Sequence, residues 1–375
     1  MKTTLKILAA ICLLLAVYCF VFYKTPETRR FEKTLSAAQQ GDRQSAFAVA
    51  ELYARGLGVK PSGEQAAQWY RQAAADGNAQ AAYELAQLYV VGTLVPQDFE
   101  EAATYLQLAA REGNAQAQNR LADFYEKGLG GLAQHPGEAL FWRLKSAAQG
   151  NRQALAQAER AQTQNQALYT EITQFMALLD KAAQGDSQAQ LQAGQGYRDG
   201  VPVLANPEEA ARWFTKAWQE GEHIPQAAYE LAQLYEKGDG VEKDEAKALQ
   251  LLGAAAEAKN AQAQYQLGMI AYEQQKYTDA FAWFSNAAEN GSAAGQYMTG
   301  FLLMQGQGTE KSVSLAIKFF RDAAAQNYTS AQYVLGQIYW KGLGVPKDKA
   351  AGKEWLDRAA ANGNTAAQAL LQGAV

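Results

Sequence analysis

Few residues of this chain have side chains that commonly do chemistry. It contains only two histidines, His135 and His223, and two cysteines, Cys12 and Cys19. The histidines lie far apart in two different predicted loops, so they form neither a metal pair nor a nucleophile with its base. Both cysteines fall in one apolar segment near the start, so no disulfide is expected to stabilise the rest of the chain. We therefore predict no metal site.

The carboxylates and the glycine-containing turns do not indicate a catalytic or phosphate-binding site either. The acidic pairs at 100–101 and 208–209 open predicted helices, where the helix dipole stabilises carboxylates. The Gly-x-Gly turns recur at a fixed period and lack the Gly-Lys-Ser/Thr sequence of a phosphate loop. A general acid needs a positioned partner and a cleft, and we find no cluster that departs from the repeat to supply them. The sequence thus predicts no enzyme activity, no catalytic residue and no cofactor.

The composition is that of a folded chain without a nucleic-acid footprint. Of 375 residues, 48% are hydrophobic and 19% are charged, which is enough apolar material for a core. With 34 basic and 38 acidic residues the formal net charge is −4, so no basic excess is available to neutralise phosphates. Nucleic acid is therefore not expected as the main partner.

An uncharged segment near the amino terminus predicts a membrane anchor. Residues 7–23, ILAAICLLLAVYCFVFY, would span roughly 25 Å as a helix, at the short end of what crosses a lipid bilayer. The segment ends without the small residues of a cleavage site, which favours an uncleaved anchor over a signal peptide. Lys2 and Lys6 before it fit export, whereas Lys24 and Arg29 after it favour the opposite orientation. We predict an inner-membrane, single-pass protein with its repeats outside the cytoplasm; the cytoplasmic side is the alternative.

After residue 30 the sequence repeats one pattern. Tyr53 and Tyr89 close similar segments 36 residues apart, and Tyr125 and Tyr197 lie 72 apart, which leaves room for one degenerate unit. A second motif keeps the same period, an aromatic or leucine residue before an alanine pair and a turn. It occurs at Trp69, Tyr105, Trp142, Trp213, Leu251, Trp283, Phe319 and Trp355. We count nine units of about 36 residues, with a partial unit at each end as a cap.

The spacing inside one unit predicts two antiparallel helices. Counted back from the terminal tyrosine, positions −8, −4, −3, −1 and 0 gather on one helix face. Ala or Gly on this face lets a neighbouring helix approach closely, while Leu and Tyr fill the space between them. Gly77 and Gly113 stand where helices should end, and Asn78 and Asn114 follow as expected N-caps. Such a hairpin cannot bury its apolar faces alone, so units must stack.

The segment from Ala331 to Trp355 carries, almost intact, the pattern A-Q-Y-x-L-G-x-x-Y-x-x-G-x-G-V-x-x-D-x-x-x-A-x-x-W. This pattern resembles the Sel-one-like repeat (SLR) family, relatives of the tetratricopeptide repeats. The resemblance implies an all-α fold, a right-handed α-α superhelix or solenoid of about nine helix-turn-helix repeats. It also implies an adaptor for protein partners, common in bacteria and in membrane-associated complexes. Some bacterial relatives carry a disulfide in every unit. This chain does not, so no activity of that cysteine-rich branch is carried over.

These observations predict a linear domain organisation. An anchor is followed by a linker and capping helix, three repeats, a degenerate fourth repeat, five further repeats and a carboxy-terminal cap. The predicted ranges are 1–24, 25–45, 46–153, 154–188, 189–365 and 366–375.

Positions −5 and −2 of each first helix point away from the predicted packed face and would form a stripe on the concave surface. The stripe is polar in the earlier units, as at Glu230 and Gln233, and becomes largely apolar in the last three. Exposed contiguous apolar area usually marks an interface, and methionine suits an adaptable groove. We predict a partner-binding surface formed by Glu230, Gln233, Met269, Met298, Phe301, Val334 and Gln337. The alternative is that the unit from Ala263, whose connection EQQKYTDA is shortened, tilts these helices and buries these residues as core.

The preferred interpretation is a membrane-anchored scaffold that binds an unidentified protein partner at the bacterial envelope. One alternative is recognition of a cell-wall glycan, or regulation of wall enzymes, by the aromatic and amide-rich surface. A less favoured alternative is a hydrolase within the superhelix.

Overall fold

The computed structural model describes residues 24–220 and 222–373 of the chain. The predicted anchor at 7–23, with Cys12 and Cys19, lies outside the described residues. Among the helices in the described ranges, none combines the length and the apolar character that crossing a bilayer requires.

The described chain is an all-helical solenoid without strands. Its twenty helices are α1 (Pro26–Gln39), α2 (Arg43–Arg55), α3 (Gly63–Ala75), α4 (Ala79–Val91), α5 (Phe99–Arg111), α6 (Ala115–Lys127), α7 (Pro136–Ala148), α8 (Arg152–Gln164), α9 (Gln166–Ala183), α10 (Ser187–Asp199), α11 (Pro207–Gln219), α12 (Pro225–Lys237), α13 (Glu245–Glu257), α14 (Ala261–Glu273), α15 (Tyr277–Glu289), α16 (Ala293–Gln305), α17 (Val313–Ala325), α18 (Thr329–Lys341), α19 (Lys349–Ala361) and α20 (Thr365–Leu371).

The helices belong to two compact units. The first comprises the described residues up to Met176 together with Pro202–Leu204, and the second comprises Ala177–Val201 and the described chain from Ala205 onward. Within each unit, helices that follow one another in the chain pack as hairpins, and each hairpin packs on the next. The core is correspondingly a row of local clusters, because each hairpin buries its apolar face against its neighbours.

In several hairpins a large side chain on the second helix fills a space left by a small residue on the first. The ring of Phe284 on α15 is fully buried, and a Cβ added to Gly268 on α14 would lie 2.6 Å from that ring. Gly194 faces Phe214, and Gly300 faces Phe320, in the same way. We call the large residue the plug. Glycine at position −3 is therefore what admits a phenylalanine plug.

Caps and turns fix where the helices begin and end. Asn78 and Asn114 accept hydrogen bonds from the N–H groups of Ala81 and Ala117, as the sequence predicts. Gly308 has a φ of +70°, and a Cβ there would lie 2.1 Å from the carbonyl oxygen of Tyr277. This second glycine of the Gly-x-Gly turn thus lets the turn pack on the start of the preceding second helix.

The consecutive helices α8 and α9 differ from the other pairs in their connection. Only Asn165 separates the two helices, and α9 is 18 residues long where its equivalents have 13. The second helix carries neither a Gly-x-Gly turn before it nor the aromatic motif. This is the stretch in which the sequence pattern is degenerate.

Candidate functional site

The seven residues of the predicted partner surface all lie on first helices of the second unit. Glu230 and Gln233 are on α12, Met269 is on α14, Met298 and Phe301 are on α16, and Val334 and Gln337 are on α18.

The four apolar members of this surface are half-buried. Met269, Met298 and Phe301 pack against one core cluster, around Phe284 and Leu302. Phe301 also packs against the following cluster, where Val334 joins it. The structure therefore brings the four side chains together along three successive hairpins, with their inner parts held by the core and the remainder open to solvent.

The three polar members already have partners within the chain. Glu230 is only 9% exposed, and one of its oxygens lies 2.5 Å from Arg198 Nη1. The amide of Gln233 donates to Gln266 Oε1 at 2.9 Å, and the amide of Gln337 donates to the Tyr333 hydroxyl at 2.7 Å. Glu230 is thus buried where position −5 is expected to face solvent, because Arg198 of the preceding hairpin pairs with it.

Tyrosines at position −6 pack on the plug of their own hairpin, and Tyr297 also contacts the next hairpin. Tyr265 lies 5.7 Å from the Phe284 ring, and Tyr297 lies 5.7 Å from Phe320 and 5.3 Å from Tyr328, measured between ring centroids. Burial raises the pKa of the Tyr297 hydroxyl. These rings are half-buried, so they support the helices beneath the apolar side chains.

The third hairpin, α6 and α7, departs from the repeat at two positions, and sequence analysis missed the role of one of them, Arg143. Arg143 occupies the plug position, which in the other family-matched hairpins holds a leucine or an aromatic residue. Asn119 stands where Tyr83 and Tyr229 stand in their hairpins, at −6. The signal was available in the sequence, since aligning the second helices at their turn places Arg143 with Phe214 and Phe284.

Arg143 is buried and held by two carboxylates. Its Nη2 atom lies 3.1 Å from Asp123 Oδ1 and 2.5 Å from Glu126 Oε2, and its side chain is 7% exposed. The hydrogen bond from Arg143 lowers the pKa of Glu126 below its usual value. Arg143 Nε is buried and makes no hydrogen bond. A buried ionic cluster therefore replaces the apolar plug.

Residues that could support catalysis remain scattered through the described chain. His135 caps α7, because its Nδ1 accepts a hydrogen bond from the Glu138 N–H at 3.0 Å, so it is a structural residue rather than a free loop side chain. His223 Nδ1 lies 2.6 Å from the carbonyl oxygen of Trp218. Between residues 24 and 373, Gly221 aside, no three His, Cys, Asp or Glu side chains are placed to hold a metal ion.

Comparison with known proteins identifies the repeat. A family model described as Sel1 repeat matches more than half of the chain, at residues 43–78, 79–114, 115–151, 187–221, 225–260, 261–292, 293–328 and 329–364. The eight matches leave out helices α8 and α9.

Two solved structures are similar over most of their length. The c5321 protective antigen of uropathogenic Escherichia coli, described as displaying an SLR fold, is 28% identical; the match covers 93% of this chain and 84% of that one, with a TM-score of 0.49. A Sel1 repeat protein from Oxalobacter formigenes is 27% identical over 92% of this chain and 90% of that one, also with a TM-score of 0.49.

Proposed function

The chain belongs to the Sel1 repeat family, whose members are protein–protein interaction scaffolds, and from that premise we propose that it binds one partner protein on the first helices of its second unit. The observation that carries the proposal is the run of half-buried apolar side chains Met269, Met298, Phe301 and Val334. The corresponding positions of α10 and α12 hold Gln192, Gln195, Glu230 and Gln233 instead.

The packing of these apolar side chains favours a role in recognition. Their inner parts are fixed by the core, so little side-chain entropy remains to be lost when a partner covers the rest. Methionine is flexible and polarisable, which suits an apolar helix or strand of a partner whose shape is not strictly matched. The occupant we propose is therefore an apolar segment of another protein.

In the proposal, the polar residues Glu230, Gln233 and Gln337 contribute to the specificity of binding. Gln233 and Gln337 hold their amides in internal hydrogen bonds, and Glu230 is engaged by Arg198. Such groups contribute to specificity, because a partner that buries them without supplying hydrogen bonds loses affinity. They contribute less than the apolar anchors to the free energy of binding.

The scaffold is also proposed to be tethered to the inner membrane through residues 7–23, with its repeats outside the cytoplasm. The support is the uncharged sequence of that segment and the basic tail before it. Labelling of a cysteine introduced at an exposed position such as Leu249, by a membrane-impermeant thiol reagent in intact cells, tests the orientation. Labelling only after lysis would place the repeats inside.

Met298→Glu is expected to reduce capture of the partner by at least about tenfold, because a carboxylate replaces an apolar contact at the centre of the surface. The measurement is quantitative affinity capture from membranes of the host, with helicity and thermal unfolding recorded for each variant. Gln192→Glu, at the same position of α10, is the matched control and should leave capture unchanged. An identical set of captured proteins for both variants would refute the proposed surface.

A further inference from the structure

Two substitutions in the third hairpin open a polar groove in the first unit. Five other hairpins hold tyrosine at position −6, namely Tyr83, Tyr229, Tyr265, Tyr297 and Tyr333, and the smaller Asn119 replaces it in α6. Arg143, in place of an apolar plug, holds Asp123 and Glu126 beside it. A groove of about 650 Å³ lies over this hairpin, a volume within the range of small-ligand sites.

The walls of the groove are almost wholly polar. They come from α4, from α6, from the turn that follows α7 and from the start of α8. The side chains that bear on the argument are Tyr83, Gln87, Gln116, Asn119, Arg120 and Asp123. With Ala115 and Gly150 as the exceptions, every lining residue has a polar side chain, so the groove has no apolar pocket to select a peptide side chain.

Hydrogen-bonding groups at the groove are left unpaired by the protein. Asn119 is only 7% exposed, yet its Oδ1 accepts no hydrogen bond, and Arg120 Nε donates none. Burying such groups without partners costs stability, and the five hairpins with tyrosine at this position avoid the cost. Because Asn119 lines the groove, a rotation of its amide can present Oδ1 to a ligand.

The charges at the groove compensate one another. Arg120 Nη1 lies 3.7 Å from Asp123 Oδ2, and Asp123 Oδ1 lies 3.1 Å from Arg143 Nη2. An anionic or cationic ligand would have to compete with these pairs for its partner. A neutral ligand rich in hydroxyl and amide groups fits without breaking them.

We propose that this groove binds a neutral oligosaccharide that carries acetamido groups. The N–H of an acetamido group matches the unpaired Asn119 Oδ1, and its carbonyl oxygen matches Arg120 Nε. Sugar hydroxyls both donate and accept, as do the surrounding glutamine amides. The half-buried Tyr83 offers a ring face on which a pyranose ring can pack. This binding site is separate from the apolar surface of the second unit and does not depend on it.

The test is titration calorimetry of the full-length chain, in a detergent without a sugar headgroup, with chitotetraose as the probe. We expect saturable binding with a dissociation constant of about 0.1–1 mM. Cellotetraose, which has a single hydroxyl in place of each acetamido group, should bind at least about tenfold more weakly, because one hydroxyl cannot reach both Asn119 and Arg120 as the separate N–H and carbonyl of the acetamido group can.

Asn119→Tyr installs the residue that Tyr83 supplies in the preceding hairpin, so it should fold, and it is expected to weaken chitotetraose binding at least about tenfold. Leu191→Tyr introduces the same residue at the same position of α10; it is the matched control and should have no effect. Gln87→Ala, on the groove wall, is a second variant and should weaken binding about threefold or more.

The proposal would be overturned if chitotetraose does not bind at concentrations well above the expected dissociation constant of about 0.1–1 mM. Binding that neither Asn119→Tyr nor Gln87→Ala alters would overturn it as well. The proposal would also be overturned if neither sugar binds and an uncharged extended peptide binds instead, with Asn119→Tyr and Gln87→Ala weakening its binding equally. That result would assign the groove to peptide main chains.

Discussion

Replacing Phe284 by alanine is expected to lower the free energy of unfolding of the second unit by about 3–5 kcal/mol. The ring is fully buried between α14, α15 and α16, and it lies against the bare backbone of Gly268. Gly268 has no side chain with which to refill the space on its side of the ring. The cost therefore combines the lost apolar burial with a cavity.

The measurement is urea unfolding followed by circular dichroism, together with hydrogen exchange of α14–α16, because repeat arrays need not unfold in one step. Leu249→Ala, at a leucine that is 53% exposed, is the control and should change stability by less than about 0.5 kcal/mol. A loss below about 1 kcal/mol for Phe284→Ala would contradict the role of the plug.

A second substitution distinguishes the steric fit between Phe284 and Gly268 from the effect of burying the Phe284 ring. Gly268→Ala should destabilise by about 1–3 kcal/mol, because the new methyl group overlaps the Phe284 ring. In the Phe284→Leu background the same change should cost much less, since Ala86 with Leu106 and Ala232 with Leu252 show that alanine accommodates leucine. Equal costs in both backgrounds would mean that the two residues are not coupled.

Arg143→Ala is expected to cost about 3–5 kcal/mol in the first unit, because it leaves Asp123 as a largely buried carboxylate without its partner. The double variant Arg143→Leu with Asp123→Gln restores the residues of the second hairpin, Leu106 and Gln87. It should recover most of the loss, because apolar packing commonly replaces a buried ion pair without net cost. Urea unfolding of the wild type and both variants measures the difference.

The contribution of the Arg143–Glu126 ion pair to the free energy of unfolding should depend on pH. The pair holds the pKa of Glu126 below its usual value of 4.5, so the stabilisation is complete above that pH. It is lost as the pH falls through the lowered pKa. The difference in stability between the wild type and Arg143→Ala should therefore narrow between about pH 7 and about pH 3. A constant difference over that range would show that the ion pair does not stabilise the hairpin.

The sequence predicted the fold well because its repeat encodes local rules. The small residue at −3 with its plug, the Asn caps and the Gly-x-Gly turns are all short-range features that recur in several hairpins. The −6 tyrosines follow the same repeat, because Tyr265 and Tyr297 each contact the plug of their own hairpin. Each rule concerns neighbouring residues or neighbouring hairpins, which is why periodicity alone carries it.

The candidate sites were harder to predict, because they depend on which side chains meet. A repeat pattern averages over its units, so it does not single out Arg143 among the residues at that position. The charge of Arg143 requires Asp123 and Glu126 on α6 as partners. Likewise, Glu230 looked solvent-facing by helix geometry, and its burial follows from Arg198 on another hairpin. The partner surface stays a prediction, with its apolar members placed together and its polar members engaged internally.

Photo-crosslinking in living cells tests the proposed partner surface most directly. An unnatural photoreactive residue is placed at 298 or 301 on α16, and at the equivalent positions 192 or 195 on α10, in otherwise identical chains. We expect one protein to be crosslinked from 298 and 301 at yields at least about tenfold above those from 192 and 195. Equal crosslinking from both helices, or none from α16, would contradict binding at this surface.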